Sequence, residues 1–507
     1  MRQFFGNDRY EKWMIAFCVI FLGSLLYLNQ FHEIGGYAVE TDFYGAFAPG
    51  AKALMEGRVE LDPGYGPGYE VMLIFFYLFV RDMFAAGKII SILSTVLMCF
   101  LTFKLLARLF DSKLAFFAAL PLAFVLLPWS VVASTDVFFA LLVTGCLYFL
   151  LKDKKIEFKH LVLSGLLAGF IYITRHNGIA VFPAIAVIIL LINPDNLPWL
   201  QRLKSCAVFL GFALLIMVPW MITNYLVNDG AFQSDSYLII ASHFYGRPGV
   251  TGADDLAAAS QKFNSLFDVV FYDFKHFVFH YLGNLYRHFR DVLQHSLTLP
   301  VGLFVLPGLL LLLKNITKRQ AAYASFPIFG FLLLCLVHYE PRYYLFLVAF
   351  FLFYAVYFFF GSWQAEAASG FFRIAHRGVY LAAILFLAVD SSRALKAVLT
   401  TEPLELQEVA EYLKSNAQKN DIIIARKPHL GYLSDLKTVY FPQAASLAEL
   451  LTFAKNINAR YILYGEIEME RRPHLQELLN YNNGHSELQM VYSNDHPNMA
   501  LYKINNN

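Results

Sequence analysis

Two carboxylates, Glu40 and Asp42, stand two positions apart in the stretch YAVETDFYGAF (37–47), just beyond the first strongly apolar run of the chain. A carboxylate held at the edge of a bilayer can take the proton of an attacking hydroxyl. Ionisable groups at the ends of apolar runs are costly to keep there and tend to mark function. The remaining set is short. Asp136 lies in WSVVASTDVFF, and Arg175 with His176 in ITRHNGIA. His243 and Arg247 belong to a long loop, and His338, Glu340, Arg342 and Tyr343 to LVHYEPRYYLF. Arginine suits phosphate because its planar fork pairs with two oxygens at once. A departing phosphate also needs cations where its charge develops. A base with arginines resembles what sugar transfer from a lipid phosphate requires. Each residue also has a plainer reading. Asp136 can cap its own helix, because Ser, Thr and Asp are preferred there. The arginines can snorkel to headgroups, the histidines can serve as hydrogen-bonding partners, and Glu40 and Asp42 can be solvated loop acids.

The elements that position these residues follow from composition. The chain has 507 residues, 58% hydrophobic, 17% aromatic and 15% charged, with a mean hydropathy of +0.50. Soluble domains carry about 25% charged residues, so most of this chain must be solvated by lipid. A net charge of +2 and the lack of a long basic run exclude a nucleic-acid partner. Cys18, Cys99, Cys146, Cys206 and Cys335 all fall in apolar runs. No CxxC or Cys/His cluster is present, which points to packing rather than to zinc or disulfides. The basic N-terminus precedes an apolar run without a convincing cleavage site and reads as an uncleaved first helix.

Crossing the hydrocarbon takes about 20 apolar residues as a helix. Eleven runs qualify or nearly so, around 14–29, 87–107, 114–129, 137–151, 161–175, 178–193, 205–225, 299–313, 321–337, 343–360 and 378–392. The run Tyr69–Val80 is too short and reads as an interfacial or re-entrant helix. With the N-terminus cytoplasmic, Lys104, Arg108, Lys113, the KDKK run at 152–155, Lys314, Lys318 and Arg319 fall inside, as the positive-inside rule asks. Counting Tyr69–Val80 as a span would put KDKK outside. The expected organisation is a transmembrane module over 1–395, with a first external loop at 30–86 and a long external loop at 226–296. An external soluble domain follows over 396–507.

That tail alternates helix and strand. LELQEVAEYLKSNA (404–417) and SLAELLTFAKNI (446–457) have helical spacing. DIIIAR (421–426), YILYG (461–465), QMVYS and ALYKI read as strands of a small α/β domain with a partly parallel sheet. GYGPGYE (64–70) reads as a flexible turn, without the strand–helix context of a phosphate loop. No internal repeat is evident, and the polar residues sit at span ends, both of which weigh against a lipid or sugar transporter. A polysaccharide polymerase or ligase that draws on a lipid diphosphate would share the same external site. A structural membrane protein with a binding tail is the reading left if the carboxylates are dispensable.

The stretches ETDFYGAFAPGAKALMEGR and GYGPGYEVML resemble the first external loop of the C-type glycosyltransferase superfamily. More narrowly, they resemble its dolichyl-phosphate-mannose mannosyltransferase-like branch, with protein O-mannosyltransferases and aminoarabinose transferases. LLPWSVVASTDVFFALLV is similar to the segment carrying that branch's second external acid. ITRHNGIAVFPA and HYEPRYYLFLVAF resemble its Arg-containing hairpin and its Arg-Tyr segment before a late span. The pattern extends over roughly residues 10–395. It implies an α-helical polytopic fold, with Asp42 as catalytic base, Glu40 as its neighbour and Asp136 as a second site carboxylate. Arg342, Tyr343, Arg175 and His176 would hold the donor phosphate, with His338, His243 and Arg247 as further site candidates. The partners implied are a polyprenyl-phosphate sugar donor, a lipid, glycan or protein acceptor, and membrane lipids. No cofactor is required by this reading, a divalent metal being the one addition it leaves open. The acid pair here is ExD rather than two adjacent acids. Few disulfide-capable cysteines and few glycosylation signals point to a prokaryotic inner membrane, with the site and the tail on the periplasmic side.

Overall fold

The computed structural model describes residues 9–60, 65–228, 236–246, 256, 258–361, 370–470, 472–479, 487–495 and 498–505. The chain divides into two compact units. One comprises Met1–Phe31 and Gly57–Leu399, the other His32–Glu56 and Thr400–Asn507. The first external loop expected at 30–86 is thereby divided, its His32–Glu56 part grouping with the tail.

The first unit is helical, and each of the eleven apolar runs is helical over most of its length. Among the described residues, six helices are long and apolar enough to cross a membrane, beginning at Arg9, Met83, Ser112, Trp199, Pro341 and Ile374. A seventh arises if the pair Phe274–Ser296 and Leu299–Leu313, bent by 120°, counts as one broken span. Gly68–Val80, Asp136–Leu151, Phe158–Thr174 and His176–Ile192 are shorter apolar helices. The run around 321–337 is broken into Lys318–Ser325 and Pro327–Leu334, with Pro327 opening the second piece, where its missing N–H costs nothing.

Local signals set the helix ends. The Asp82 side chain accepts from Ala85 N at 2.6 Å, and that of Asp111 from Leu114 N at 2.9 Å. Each satisfies an N–H left without a partner at a helix start. The helix Leu345–Phe360 (LFLVAFFLFYAVYFFF) has no polar face, and a helix apolar all round belongs in an interior. Leu347, Val348, Leu352 and Phe353 are accordingly fully enclosed, against the helices Ser112–Leu126, Asp136–Leu151 and Val305–Leu313.

Three loops assigned to one side by their basic residues are joined to each other. Asp195 Oδ1 accepts from Arg319 Nη2 at 2.7 Å, and its Oδ2 from Ile156 N at 2.6 Å. Lys318 Nζ donates to Asn196 Oδ1 at 2.5 Å. Arg319 also donates to the carbonyl of Leu151 at 3.2 Å, the last residue of the helix that Asp136 begins. The Asp136 end therefore lies at the opposite end of that helix from these loops.

The second unit contains a five-stranded sheet in the order β2-β1-β3-β5-β4. Its strands are β1 (Ile422–Ala425), β2 (Lys437–Tyr440), β3 (Ala459–Gly465), β4 (Leu488–Asp495) and β5 (Asn498–Ile504). β1 is parallel to both β2 and β3, while β5 is antiparallel to β3 and β4. The helix Leu447–Asn456 begins at Ser446, whose hydroxyl accepts from Glu449 N at 3.3 Å. Its buried face packs Leu450 and Leu451 with Ile424, Ile462, Tyr464 and Tyr502 of the sheet. The strand absent from the sequence reading is β2. It is an edge strand of sequence KTVY without a fully buried residue, so it lacks the apolar run by which its neighbours are recognised.

Candidate functional site

In the first unit, three chain segments bring charged residues together. Asp136 opens the helix Asp136–Leu151 and is almost wholly buried, although its side chain does not cap that helix. Arg175 ends the helix Phe158–Thr174 in an extended conformation, and His176 begins the 3-10 turn His176–Ala180. Arg342 and Tyr343 sit in the turn Pro341–Tyr344. There Pro341 forces Glu340 into extended backbone, with φ −139° and ψ 123°.

Arg175 Nη1 donates to Asp136 Oδ1 and to Thr135 Oγ1 at 2.9 Å. Arg342 Nη1 stands 4.0 Å from Asp136 Oδ2. Both guanidiniums lie over the Tyr343 ring, with Arg175 Cζ 5.4 Å and Arg342 Cζ 5.2 Å from its centroid. Such cation–π contacts strengthen when water is scarce, and the two arginine side chains are only 17% and 15% exposed. Two guanidiniums around one carboxylate leave a net positive charge suited to an anion. The His338 ring lies 5.8 Å from that of Tyr343, and burial holds His338 below its usual range. The His176 ring packs on Tyr172 at 5.4 Å.

Two glycines of GYGPGYE hold the Arg175 turn. A Cβ on Gly66 would stand 2.2 Å from the Ile173 carbonyl oxygen, and one on Gly68 2.5 Å from Thr174 Oγ1. The segment read as a flexible turn is thus a close backbone contact with the two residues preceding Arg175.

His243 sits in a neighbouring polar cluster. Its Nε2 accepts from Asn284 Nδ2 at 2.9 Å, and its ring lies 5.2 Å from that of His280. Burial, with His280 and His338 adding to it, pushes His243 down to about 4, so it is neutral at physiological pH. Among the described residues, no group of three or more His, Cys, Asp or Glu stands ready to hold a metal ion. Arg247 lies outside the described residues.

In the second unit, Glu40 and Asp42 have different surroundings. Glu40 is buried. Its oxygens face His32 Nε2 at 3.0 and 3.1 Å, and Oε2 accepts from Gly36 N at 2.7 Å. His32 Nδ1 faces Glu402 Oε1 at 2.6 Å. An imidazole with a carboxylate on each nitrogen donates twice and is charged. Burial works against that charge, but the hydrogen bonds and charges of Glu40 and Glu402 outweigh it and raise His32 to about 9. Asp42 is half-buried and precedes the π-helical turn Phe43–Phe47 without capping it. Beside it, Lys427 Nζ donates to Thr41 Oγ1 at 3.2 Å. Sequence reasoning missed His32, Glu402 and Lys427. The two acids of the His32 triad come from segments 362 residues apart (402 − 40), a pairing no local pattern reveals. Lys427 follows the carboxyl end of a parallel strand, a recurrent place for functional loops, and that was its one available signal.

Residues 67–222 match the model of the family described as dolichyl-phosphate-mannose-protein mannosyltransferase. No curated protein matches the chain. Among solved structures, ArnT from Cupriavidus metallidurans bound to undecaprenyl phosphate superimposes with a TM-score of 0.63 at 13% identity, covering 98% of each chain. The Archaeoglobus fulgidus oligosaccharyltransferase tethered to an acceptor peptide gives 0.63 at 13% identity, over 91% of this chain and 70% of that one. AglB from the same organism, with an inhibitory peptide and a dolichol-phosphate, gives 0.61 at 14% identity over the same shares. At such identities the likeness is one of fold. With the family match it bears out the resemblance to the C-type membrane glycosyltransferases, and with the apolar helices it identifies an integral membrane protein with a small α/β domain.

Proposed function

We propose that the protein transfers a sugar from a polyprenyl-phosphate donor to a hydroxyl acceptor on the external, periplasmic face of a prokaryotic inner membrane, with inversion. The observation that carries this reading is the convergence of Arg175 and Arg342 on Asp136 around the Tyr343 ring. These arginines bind the donor phosphate, with Tyr343, His176 and His338 shaping its surroundings and His243 standing further out. Asp136 fixes the two forks and keeps them from rotating away. Asp42 acts as base. The acceptor oxygen forms a bond to the anomeric carbon while the bond from that carbon to the phosphate oxygen breaks. The acceptor proton goes to Asp42, and the bonding pair leaves with the polyprenyl phosphate. Glu40 is occupied by His32 and Gly36 N, so its part is to hold the loop in shape. Every step is carried by side chains, and the reading requires no cofactor.

The matched structures support this donor class, since one holds undecaprenyl phosphate and another a dolichol-phosphate. Binding of undecaprenyl phosphate and undecaprenyl diphosphate to the purified protein in lipid tests it. The monophosphate should bind, and Arg342→Met should weaken it at least about tenfold, the scale of a lost charge-assisted bond. Binding of the diphosphate alone would favour a polymerase or ligase instead.

A further inference from the structure

One face of the helix Phe274–Asp291 grips the segment that carries His338, Arg342 and Tyr343. Tyr281, Asn284 and His288 recur at spacings of three and four and so share that face. Tyr281 Oη donates to the Leu332 carbonyl at 2.9 Å, and Asn284 Nδ2 to the Cys335 carbonyl at 3.0 Å. His288 Nδ1 meets Tyr344 Oη at 2.5 Å. At the end of the helix, Tyr339 Oη donates to the Asp291 carbonyl at 3.0 Å and accepts from Ser296 Oγ at 2.9 Å.

The gripped segment has little support of its own. The helix Pro327–Leu334 ends there, where its last carbonyls have no partner within it, and regular structure resumes only at the turn Pro341–Tyr344. Tyr281 and Asn284 supply donors to that helix end. Asn284, His288 and Tyr344 are all buried, and a buried polar group is costly unless it is paired. Asn284 is paired throughout. Its second amide hydrogen goes to His243 Nε2 at 2.9 Å, and its oxygen accepts from Arg287 Nη2 at 2.9 Å. Phe279, Leu282 and Tyr286, on the opposite side of the helix, are exposed. A helix with polar side chains turned inward and apolar ones outward suits a lipid surrounding, where inward polar residues mark function.

Tyr344 is the link to the charged group. Its side chain is fully enclosed, while the ring of the preceding Tyr343 carries both guanidiniums. We propose that His288 and Asn284 are positioning residues for Arg342, fixing the turn Pro341–Tyr344 so that its guanidinium stands against Asp136 and Tyr343. His288 holds the far end of the turn through Tyr344, and Asn284 holds the chain that enters it at Cys335. Neither acts on the phosphate directly. Misplacement of a binding group by about 1 Å is enough to be felt in binding and catalysis, so a turn released at either point aims the Arg342 fork less well. The inference rests on Arg342 binding the donor phosphate.

Binding of undecaprenyl phosphate to the purified full-length protein in lipid, measured with and without Arg342, makes the test. Tyr344→Phe removes one hydroxyl and keeps the ring. It should weaken binding about five- to tenfold, the scale of one hydrogen bond. In the Arg342→Met background the same change should have no further effect, because the positioned group is gone. His288→Leu and Asn284→Leu should follow the same pattern. His288→Asn, which keeps a polar atom near the place of Nδ1, should restore most of the affinity that His288→Leu loses. Tyr344→Phe, the mildest change, decides the matter if the leucine variants do not fold. A loss of the same factor with and without Arg342 is what a merely structural bond gives, and it overturns the proposal, as does wild-type affinity in Tyr344→Phe. A wild type that binds no undecaprenyl phosphate overturns the donor reading itself, and the inference falls with it.

Discussion

His32 and Glu402 stand 370 positions apart in the chain and meet at 2.6 Å. Because the other His32 nitrogen faces Glu40, one imidazolium joins the carboxylate-bearing loop to the start of the α/β domain. The Glu402 Oε2 atom completes the junction by accepting from the backbone of Glu33 at 3.0 Å and of Ile34 at 3.3 Å. The loop is therefore part of that domain's fold.

This arrangement makes the second unit sensitive to alkali. His32 is raised to about 9 from the ~6.5 of a free imidazole, so its pairs add stability that is complete below about 6.5. That stability is lost as pH rises through 9, and is worth about 3 kcal/mol across the window. Thermal unfolding of the full-length protein should show a loss between pH 7 and 10 that is absent in His32→Gln.

Glu40 and Asp42 should separate by phenotype. Removing one member of a buried ion pair costs about 3–5 kcal/mol, so Glu40→Ala should unfold at markedly lower temperature than wild type. Asp42→Asn should unfold near the wild-type temperature. Differential scanning fluorimetry of both variants makes the comparison.

Arg342→Lys keeps the charge but loses the planar fork and the stack on Tyr343. Polyprenyl phosphate affinity should fall on the order of tenfold even so. Equal affinity in wild type and Arg342→Lys would mean that Arg342 acts as a point charge only.

Gly66→Ala should be more damaging than Gly68→Ala, because the first meets backbone atoms of Ile173 from 2.2 Å, whereas the second meets the Thr174 hydroxyl at 2.5 Å and backbone atoms no nearer than 2.9 Å. Overpacking of this kind costs about 1–3 kcal/mol and should weaken phosphate binding through Arg175. Gly23→Ala, where nothing lies within 4 Å, is the control: it should leave binding unchanged and, lying inside a helix, should not lower the unfolding temperature.

Much of this is legible in the sequence. Periodicity and length located the apolar helices and every strand of the tail except β2, because burial in lipid or in a sheet core leaves long apolar runs. The Asp136, Arg175 and Arg342 group was legible because all three stand at helix ends that basic loops assign to one side. The division of the ExD pair was not. Glu40 is set apart by His32 and Gly36 N, and the Glu402 that holds the other side of that histidine comes from the far end of the chain. The role of GYGPGYE was hidden for a related reason, since a close backbone approach depends on Ile173 and Thr174 lying opposite.

The most direct test is transfer of labelled sugar from a panel of polyprenyl-monophosphate sugars by the purified protein in lipid, with hydroxyl acceptors varied, comparing wild type, Asp42→Asn and Glu40→Gln. Transfer by wild type should fall at least about a hundredfold in Asp42→Asn, the scale on which an acid–base group contributes, and Glu40→Gln should retain far more at a temperature where it is folded. Wild-type transfer that Asp42→Asn matches would contradict the assignment of Asp42 as the base.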